Sequence, residues 1–289
     1  SPDYLGNILD IAGISNVCKR RGVLFCVDNA HGAYRRFLPQ SRHAIDLGAD
    51  ICCDSAHKTL PALTGAAYLH IGKDAPPMFF ERAVSALALF ASSSPSYLIL
   101  QSLDAVNPYL PEFKSRLADF LPAVQELKET LIRHGLQLIG DEPLKLTIAA
   151  KSIGFTGAAL AALLEGAGIY PEFYDPDFLV LMLSPLNGED DLCRLSDALL
   201  AIEQKPAIAS ALPPLPHPKR ALSVREAIFA PSELLPVGQC RGRICAEAAI
   251  NCPPAVPIVV CGEEIDAHSI ECFRYYGVET CRVVKESPV

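Results

Sequence analysis

The 289-residue sequence lacks the segments that mark membrane-spanning, exported and nucleic-acid-binding proteins. No apolar run reaches the roughly 18–20 residues that a helix needs to cross a bilayer. The first residues form no charged region followed by an apolar core, so they do not look like a targeting segment. Acidic and basic residues are mixed along a chain of net charge -8, and there is no basic tract. We therefore expect neither a membrane nor a nucleic acid as a partner.

The cysteines lack the spacing of metal sites. The chain has 11 of them, and six lie in its last fifty residues: Cys240, Cys245, Cys252, Cys261, Cys272 and Cys281. They form no C-x-x-C pair and have no histidine at zinc-finger spacing, so we expect no metal site. An odd count in a chain without a signal peptide predicts reduced, mostly buried thiols and a cytoplasmic protein.

The remaining composition is that of a globular enzyme. Half of the residues are hydrophobic and 20% are charged, and a chain of this length can bury a substantial core. Its first residues, "SPDYLG", contain no methionine, from which we expect the remainder of a longer protein. Four histidines have no acidic or cysteine neighbour at a useful spacing, and we interpret them as surface or packing residues: His43, His70, His134 and His217.

Helix and strand patterns alternate through the first hundred residues. Residues 7–20 predict an amphipathic helix, and "VLFCV" (23–27) predicts a short, fully apolar strand. Further apolar strands follow at "DICCD" and at "AAYLHI" (66–71). Because short continuous apolar strands joined by helices are typical of sheets covered on both faces, we predict an α/β fold with a mainly parallel sheet.

The rest of the chain indicates three further segments. Apolar residues recur at spacings of three and four over 110–132, which predicts a long helix leading into a smaller α/β unit that ends near residue 204. Residues 205–220 carry five prolines and no period, which indicates a linker. Residues 221–289 mix strands with helices and predict a C-terminal α+β extension. The predicted boundaries are therefore 1–109, 110–204, 205–220 and 221–289.

Polar residues follow two of the predicted strands. Asp28, Ala30 and His31 come after "VLFCV", and a serine, a histidine and Lys58 come after "ICCD". Ligands gather at the carboxyl ends of the strands of an open parallel sheet, so both groups should face one crevice. Taken alone, each motif is also compatible with a polar loop cap.

A lysine and an aspartate in one crevice are suited to pyridoxal phosphate (PLP). A lysine amine can form a Schiff base with the aldehyde of PLP, and an aspartate can hold the pyridine nitrogen protonated. Small residues beside the aspartate leave room for a flat ring, and Ser55 and His57 can donate hydrogen bonds toward a phosphate. Asp28 and Lys58, thirty positions apart, supply the two main requirements.

Longer motifs resemble the PLP-dependent ornithine/lysine/arginine decarboxylases of fold type I, the aspartate-aminotransferase fold. The resemblance extends over nearly the whole chain. Its motifs are "SPDYLGNILDI", "VDNAHGAY", "DSAHKTLPALTGAAYLH", "SSSPSYLILQSLDA", "DEPLKLTI" and "GRICAEAAINCPPAVPIVVCGEEI". It implies that residues 1–109 are the later part of a PLP-binding large domain, that 110–204 are a small domain, and that 221–289 are the family's C-terminal domain.

The resemblance also implies roles for individual residues. Lys58 would form the covalent link to PLP, Asp28 would pair with the pyridine nitrogen, and Ala30 would lie against the ring. Ser55 and His57 would contact the phosphate.

Three further residues complete the implied site. His31 would lie near the cofactor or the substrate carboxylate, as a second catalytic residue beside Lys58. The loop "SSSPSY" (92–97) resembles one that reaches a neighbouring subunit, so Ser94 and Ser96 would contact the phosphate across a dimer. The same serines could instead cap the following helix.

The sequence departs from the family pattern at the site. Asn29 replaces the glutamate that is usual between the aspartate and the alanine, and Tyr34 stands where a second histidine is common. Members of the family also carry a substantial portion before the "SPDY" segment, with further phosphate-binding donors and a histidine that stacks over the PLP ring.

The resemblance implies decarboxylation of a basic amino acid (lysine, arginine or ornithine) to an amine and CO2, by a homodimer or a larger homo-oligomer. Two alternatives remain open. One is another fold-type-I activity, such as that of an aldolase or an aminotransferase, with the same Asp28 and Lys58. The other is a truncated, inactive paralogue that binds and modulates a full-length decarboxylase.

Overall fold

The computed structural model of the chain describes residues 1–209, 212–252 and 256–286. Its α-helices are α1 Ile11–Arg21, α2 Ala56–Thr59, α3 Pro77–Phe90, α4 Tyr97–Arg133, α5 Gly157–Gly166, α6 Glu189–Leu200, α7 Val224–Phe229 and α8 Ala267–Tyr275. Its strands are β1 Cys26–Asp28, β2 Ile51–Asp54, β3 Tyr68–Ile71, β4 Leu138–Ile139, β5 Lys145–Ala149, β6 Phe173–Tyr174, β7 Phe178–Met182, β8 Ser232–Pro236, β9 Ala249–Cys252, β10 Val256–Val260 and β11 Thr280–Val284.

The chain divides into two compact units. One unit is Ser1–Ile148 with Val180–Glu203, and the other is Ala149–Leu179 with Gln204–Val289. Residues 205–209 and 212–219 belong to no helix or strand, while residues 210 and 211 of the predicted linker lie outside the described residues. The four-part division made from the sequence stays a prediction.

The sheet that carries the site has the order β1-β2-β3. Strand β1 runs parallel to β2, with Val27 opposite Cys52, and β3 is antiparallel to β2. The α/β fold class predicted from the sequence is confirmed, and this sheet is mixed, with one parallel and one antiparallel pairing. Val27 and Cys52 are buried against Ile11 of α1. Burial of this short apolar run holds the ends of β1 and β2 side by side.

Helix α1 delivers the chain to β1. The Asp10 side chain caps its first turn by accepting a hydrogen bond from the Gly13 N–H at 2.9 Å. Gly22 ends it in the left-handed region, at a φ of 63°. The strand then begins at Cys26, three residues later than the predicted start at residue 23, because Val23 and Leu24 are still exposed.

Helix α4 is longer than the sequence predicts. It begins at Tyr97 rather than near residue 110 and continues through three prolines, Pro108, Pro111 and Pro122. Its buried residues recur at helical spacing and form one apolar stripe: Val106, Phe113, Leu117, Phe120, Val124, Leu127 and Leu131. The stripe confirms the amphipathic pattern, which the prolines do not interrupt.

Helix α3 has no buried residue although most of its sequence is apolar. Val84, Leu89 and Phe90 are 79%, 78% and 91% exposed. Several exposed large apolar side chains on one helix are unusual on a monomer and are typical of a segment that contacts another chain.

The later strands form three more sheets. Strands β4, β5, β7 and β6 lie in that order, β8 pairs antiparallel with β11, and β9 pairs antiparallel with β10. The C-terminal core is formed partly by buried thiols, including Cys240, Cys245 and Cys281. All ten described cysteines are free thiols, six of them buried, and the side chain of Cys252 lies outside the description.

Candidate active site

Asp28 is the last residue of β1, where the strand opens to solvent. Its backbone pairs with Cys53 of β2, and its carboxylate accepts a hydrogen bond from the Ala30 N–H at 3.0 Å. The side chain is exposed. The strand end therefore presents a carboxylate that is oriented by its own loop, next to the half-buried Ala30.

Lys58 lies on the single turn of helix that follows β2. This turn, α2, begins after Ser55, whose carbonyl accepts a hydrogen bond from the Lys58 N–H at 3.1 Å. The Lys58 Nζ lies 3.0 Å from Nε2 of His31, which belongs to the turn after β1. The structure therefore brings together the two strand ends that the sequence singled out.

His31 is a neutral, buried base at this contact. Burial, followed by the charges of Lys145 and Lys58, lowers the pKa of His31 from 6.5 to about 3. A neutral imidazole whose Nε2 accepts from the Lys58 ammonium carries its proton on Nδ1. That Nδ1 is buried and has no hydrogen-bond partner within the described chain. The site thus contains a buried donor without an acceptor, beside the lysine.

Tyr4 and Lys145 complete the surroundings of Lys58, and the sequence reasoning assigned no role to either. The Tyr4 ring meets the His31 ring edge-on at a centroid distance of 4.8 Å, and the Lys58 Nζ lies 5.6 Å from the centre of the Tyr4 ring. Lys145 donates to the carbonyls of Asp3 and Tyr4 at 2.6 and 3.1 Å. The sequence signals were that Tyr4 stands in the motif "SPDYLG" and Lys145 in the motif "DEPLKLTI".

Ser55 and His57 lie beside Lys58 but differ in their bonding. The His57 Nδ1 lies 2.9 Å from the carbonyl oxygen of Ala66, to which it donates, and this bond fixes the ring. Ser55 occupies the position before α2, and its hydroxyl makes no capping bond. Both side chains are half-buried. Their implied contact with a phosphate stays a prediction.

Ser94 and Ser96 are exposed residues before α4. Ser96 occupies the cap position of that helix, but its side chain makes no capping hydrogen bond. Neither hydroxyl is hydrogen-bonded to Lys58 or Asp28 within the described residues. Their implied contact with a second subunit stays a prediction.

A buried carboxylate ends strand β2. Asp54, which is 3% exposed, accepts from the side-chain amide of Asn29 at 2.7 Å. Its other oxygen accepts from Nε2 of His43 at 3.0 Å and from Nε2 of His70 at 2.9 Å. Burial raises the pKa of Asp54, and the bonds from His43 and His70 outweigh this effect, so the pKa lies below its usual range. The interpretation of His43 and His70 as surface or packing residues missed these bonds, because Asp54 is brought to them by loop and strand pairing and not by sequence spacing.

The same group has the residue types of a metal site. Ligand atoms of His43, Cys52 and Asp54 all lie within 4.8 Å of one another. However, Nδ1 of His43 accepts from the Ile45 N–H at 3.3 Å, which assigns the ring proton to Nε2. A protonated Nε2 donates to Asp54 and has no lone pair for an ion. We therefore describe the group as a hydrogen-bonded carboxylate.

Comparison with known proteins places the chain in a family. A model of the Orn/Lys/Arg decarboxylase major domain matches residues 1–139, and a model of the C-terminal domain of the same enzymes matches residues 204–285. The chain belongs to the Orn/Lys/Arg decarboxylase family. The first range contains Asp28, His31 and Lys58, and the second contains the C-terminal core.

Two curated relatives show the extent of the similarity. The uncharacterized protein YaaO of Bacillus subtilis is 33% identical over 94% of this chain and 59% of its own length. An arginine decarboxylase of Bacillus subtilis is 30% identical over 93% of this chain and 59% of its own length. The chain thus spans about three fifths of the length of these relatives.

A solved structure shows the fold. The constitutive lysine decarboxylase of Escherichia coli superimposes with a TM-score of 0.72 at 17% identity, over 98% of this chain and 57% of that one. The decarboxylase fold of type I predicted from the sequence is confirmed. Among the helices of the described residues, none is long and apolar enough to span a membrane.

The residues present fit the PLP that this family implies. Lys58 supplies an amine, Asp28 supplies an exposed carboxylate, and the buried Nδ1 of His31 supplies a donor that lacks an acceptor. An aldehyde, a ring nitrogen and anionic oxygens are the complementary groups of PLP. The fit rests on these three side chains.

Proposed function

We propose that the chain is part of a PLP-dependent decarboxylase that converts a basic amino acid (lysine, arginine or ornithine) to an amine and CO2. The observation that carries the proposal is the 3.0 Å contact between the Lys58 Nζ and the His31 Nε2 at the end of the strand that presents Asp28. Membership of the Orn/Lys/Arg decarboxylase family supports the reaction.

Each residue has a role in this proposal. Lys58 would hold the cofactor covalently through its amine, which would be free only while the substrate amine takes its place. Asp28 keeps the pyridine nitrogen protonated, and Ala30 leaves space for the ring. Ser55 and His57 bind the phosphate. When bound, PLP supplies the electron sink that accepts the electrons left by departing CO2.

His31 is both a hydrogen-bond acceptor and a hydrogen-bond donor in the proposed site. Because it is neutral at physiological pH, its Nε2 accepts from Lys58 while Nδ1 donates to an oxygen of the bound cofactor or substrate. His31 therefore holds the Lys58 side chain in place through this hydrogen bond.

The exposed surface of α3 supports the proposal that the protein forms a homo-oligomer. Val84, Leu89 and Phe90 are large apolar side chains that the described chain does not cover. The helix ends four residues before Ser94, one of the two serines proposed to reach a neighbouring subunit. A second copy that covers α3 would thus also meet the loop 92–97.

Borohydride trapping tests the proposal. The chain is incubated with PLP and reduced, and the modified peptide is located by mass spectrometry. We expect the label on Lys58, its loss in Lys58→Ala, and its retention in Lys73→Ala, which replaces an exposed lysine outside the site. Product analysis with lysine, arginine and ornithine then separates the activities, because release of CO2 with an amine supports decarboxylation.

Two results would contradict the proposal. Formation of a keto acid indicates the aminotransferase alternative. An unlabelled wild-type chain that co-purifies with a full-length decarboxylase indicates the inactive, modulating paralogue.

A further inference from the structure

The bond between Asn29 and Asp54 extends the pairing of β1 and β2 beyond the ends of the strands. The backbone register ends with Asp28 opposite Cys53, and the Asn29 N–H then donates to the Cys53 carbonyl at 2.9 Å. After this point the two segments of the chain separate. The segment after β1 enters the turn that carries His31, and the segment after β2 enters α2. The side-chain bond of 2.7 Å between Asn29 and Asp54 joins them where backbone pairing stops.

The partners of Asp54 explain why position 29 is an amide. A buried carboxylate is costly unless hydrogen bonds satisfy it, and Asp54 has three donors, Asn29, His43 and His70. A glutamate at position 29, as the resemblance implied, would place a second carboxylate against Asp54. Asn29 and Asp54 are therefore complementary, because the Asn29 amide donates a hydrogen bond and the Asp54 carboxylate carries the negative charge that accepts it.

This pair lies next to the residues that carry the proposed chemistry. Asn29 follows Asp28 directly, and its carbonyl accepts from the Gly32 N–H at 2.7 Å, which closes the turn that holds His31. Asp54 precedes α2, four residues before Lys58. A movement of either strand end would change the 3.0 Å separation of the Lys58 Nζ from the His31 Nε2.

We propose that Asn29 and Asp54, held by His43 and His70, are positioning residues that set the contact of Lys58 with His31 and its distance from Asp28. The inference rests on the proposed function in one respect: the position of Lys58 affects catalysis only if PLP binds there. Neither Asn29 nor Asp54 touches the reacting groups, and their effect passes through the two strand ends.

Four variants test the positioning role. Asp54→Asn and Asn29→Asp each break the complementary pair, and the double variant Asn29→Asp with Asp54→Asn restores it with the charge on the other strand. Asp46→Asn is the matched control. Asp46 borders the same cavity of about 510 Å³ as Asp54 and His70, but its carboxylate bonds to Arg36 and Ser41.

The first readout needs no cofactor. Acetic anhydride acylates amines, and mass spectrometry gives the rate at Lys58 relative to an exposed lysine, Lys73, at a temperature where each variant is folded. We expect each single variant to change this relative rate by about 3–10-fold, corresponding to loss of one buried hydrogen bond. The double variant should return to within about 2-fold of wild type, and Asp46→Asn should match wild type.

The second readout is the rate of PLP attachment at Lys58, trapped with borohydride, together with the thermal unfolding midpoint. We expect both single variants to slow attachment and the double variant to recover it. If wild type is not labelled by PLP, the proposed function fails, while the acylation series still decides the positioning role.

Three results would overturn the positioning role. Single variants whose Lys58 reacts like wild type would show that the pair does not act on the lysine. A double variant that regains its unfolding midpoint but not its Lys58 reactivity would show a purely structural bond. A stoichiometric divalent metal in purified wild type that Asp54→Asn loses would show that His43 and His70 hold an ion instead of donating to Asp54.

Discussion

The Lys58 ammonium donates to Nε2 of His31 across 3.0 Å, although 27 residues separate the two along the chain. The contact joins the end of β1 to the turn that follows β2. It also makes His31 the buried base closest to the proposed cofactor-binding amine. The properties of this pair lead to predictions that can be checked with and without PLP.

His31 should make the stability of the fold depend on pH. Its folded-state pKa of about 3 lies below the value of 6.5 expected when unfolded. Between these values the unfolded chain binds a proton that the folded chain does not, so stability falls as the pH is lowered from 6.5 toward 3. We expect His31→Gln to flatten this part of the profile, measured by urea unfolding over that range.

The control for His31 is His217→Gln, at an exposed histidine. It should retain the wild-type dependence on pH. An unchanged slope in His31→Gln would mean that another group causes the loss of stability in acid.

Removing the Tyr4 ring should make Lys58 more reactive. The ring centre lies 5.6 Å from the Lys58 Nζ, where an aromatic face stabilises an ammonium by about 0.5–1 kcal/mol. We expect Tyr4→Leu to speed acylation of Lys58 by about 2–5-fold, since that energy converts to this factor. Tyr170→Leu, at an exposed tyrosine, is the control and should leave the rate unchanged. A slower reaction in Tyr4→Leu would show that the ring orients the amine instead.

Loss of one imidazole should expose the cost of burying Asp54. In His43→Leu the carboxylate keeps Asn29 and His70 but loses a buried donor, and we expect the free energy of unfolding to fall by about 1–3 kcal/mol at neutral pH. The pKa of Asp54 lies below its usual range in the fold, so its bonds stabilise the protein above that range and are lost as the pH falls. The difference in the free energy of unfolding between wild type and His43→Leu should therefore become smaller in strong acid.

Urea unfolding of His43→Leu at neutral and acid pH checks both parts of this expectation. A deficit that is the same at both pH values would mean that the cost arises from packing of the ring and not from the charge of Asp54.

The thiols should fall into two classes of reactivity. Cys26, Cys53 and Cys193 are exposed, whereas Cys240 and Cys281 are fully buried. A hydrogen bond with Cys245 and burial raise the pKa of Cys281, which keeps it in the unreactive thiol form. We expect iodoacetamide to label the three exposed residues in the native chain and the two buried ones after unfolding, as read by peptide mass mapping. Fast labelling of Cys281 in the native chain would contradict the burial of its thiol in the C-terminal core.

Charged residues on α3 should weaken self-association. Val84 and Leu89 are exposed apolar side chains, and burying each against a second copy would contribute about 1.5–3 kcal/mol. We expect Val84→Lys with Leu89→Lys to shift the protein toward monomer in analytical ultracentrifugation, whereas Ser85→Lys with Glu81→Lys tests whether added charge alone has this effect. Equal masses for both double variants and wild type would contradict the proposed interface.

The sequence was sufficient for the features that depend on local periodicity and on long motifs. Apolar spacing predicted α1, the α4 stripe and strand β2, because burial of one helix face or of a continuous strand leaves a pattern in neighbouring residues. Asp28 and Lys58 were recognised as a pair because each follows such a strand and because both stand in motifs of one family.

Only the tertiary structure decided which polar groups meet. Lys145 reaches the carbonyl of Asp3 across 142 positions, and His43 and His70 approach Asp54 from a loop and from the antiparallel strand β3. Such contacts depend on strand register and loop path, which leave no period in the sequence. The sequence therefore singled out Lys58, and the fold decided that a neutral, buried His31 accepts a hydrogen bond from it.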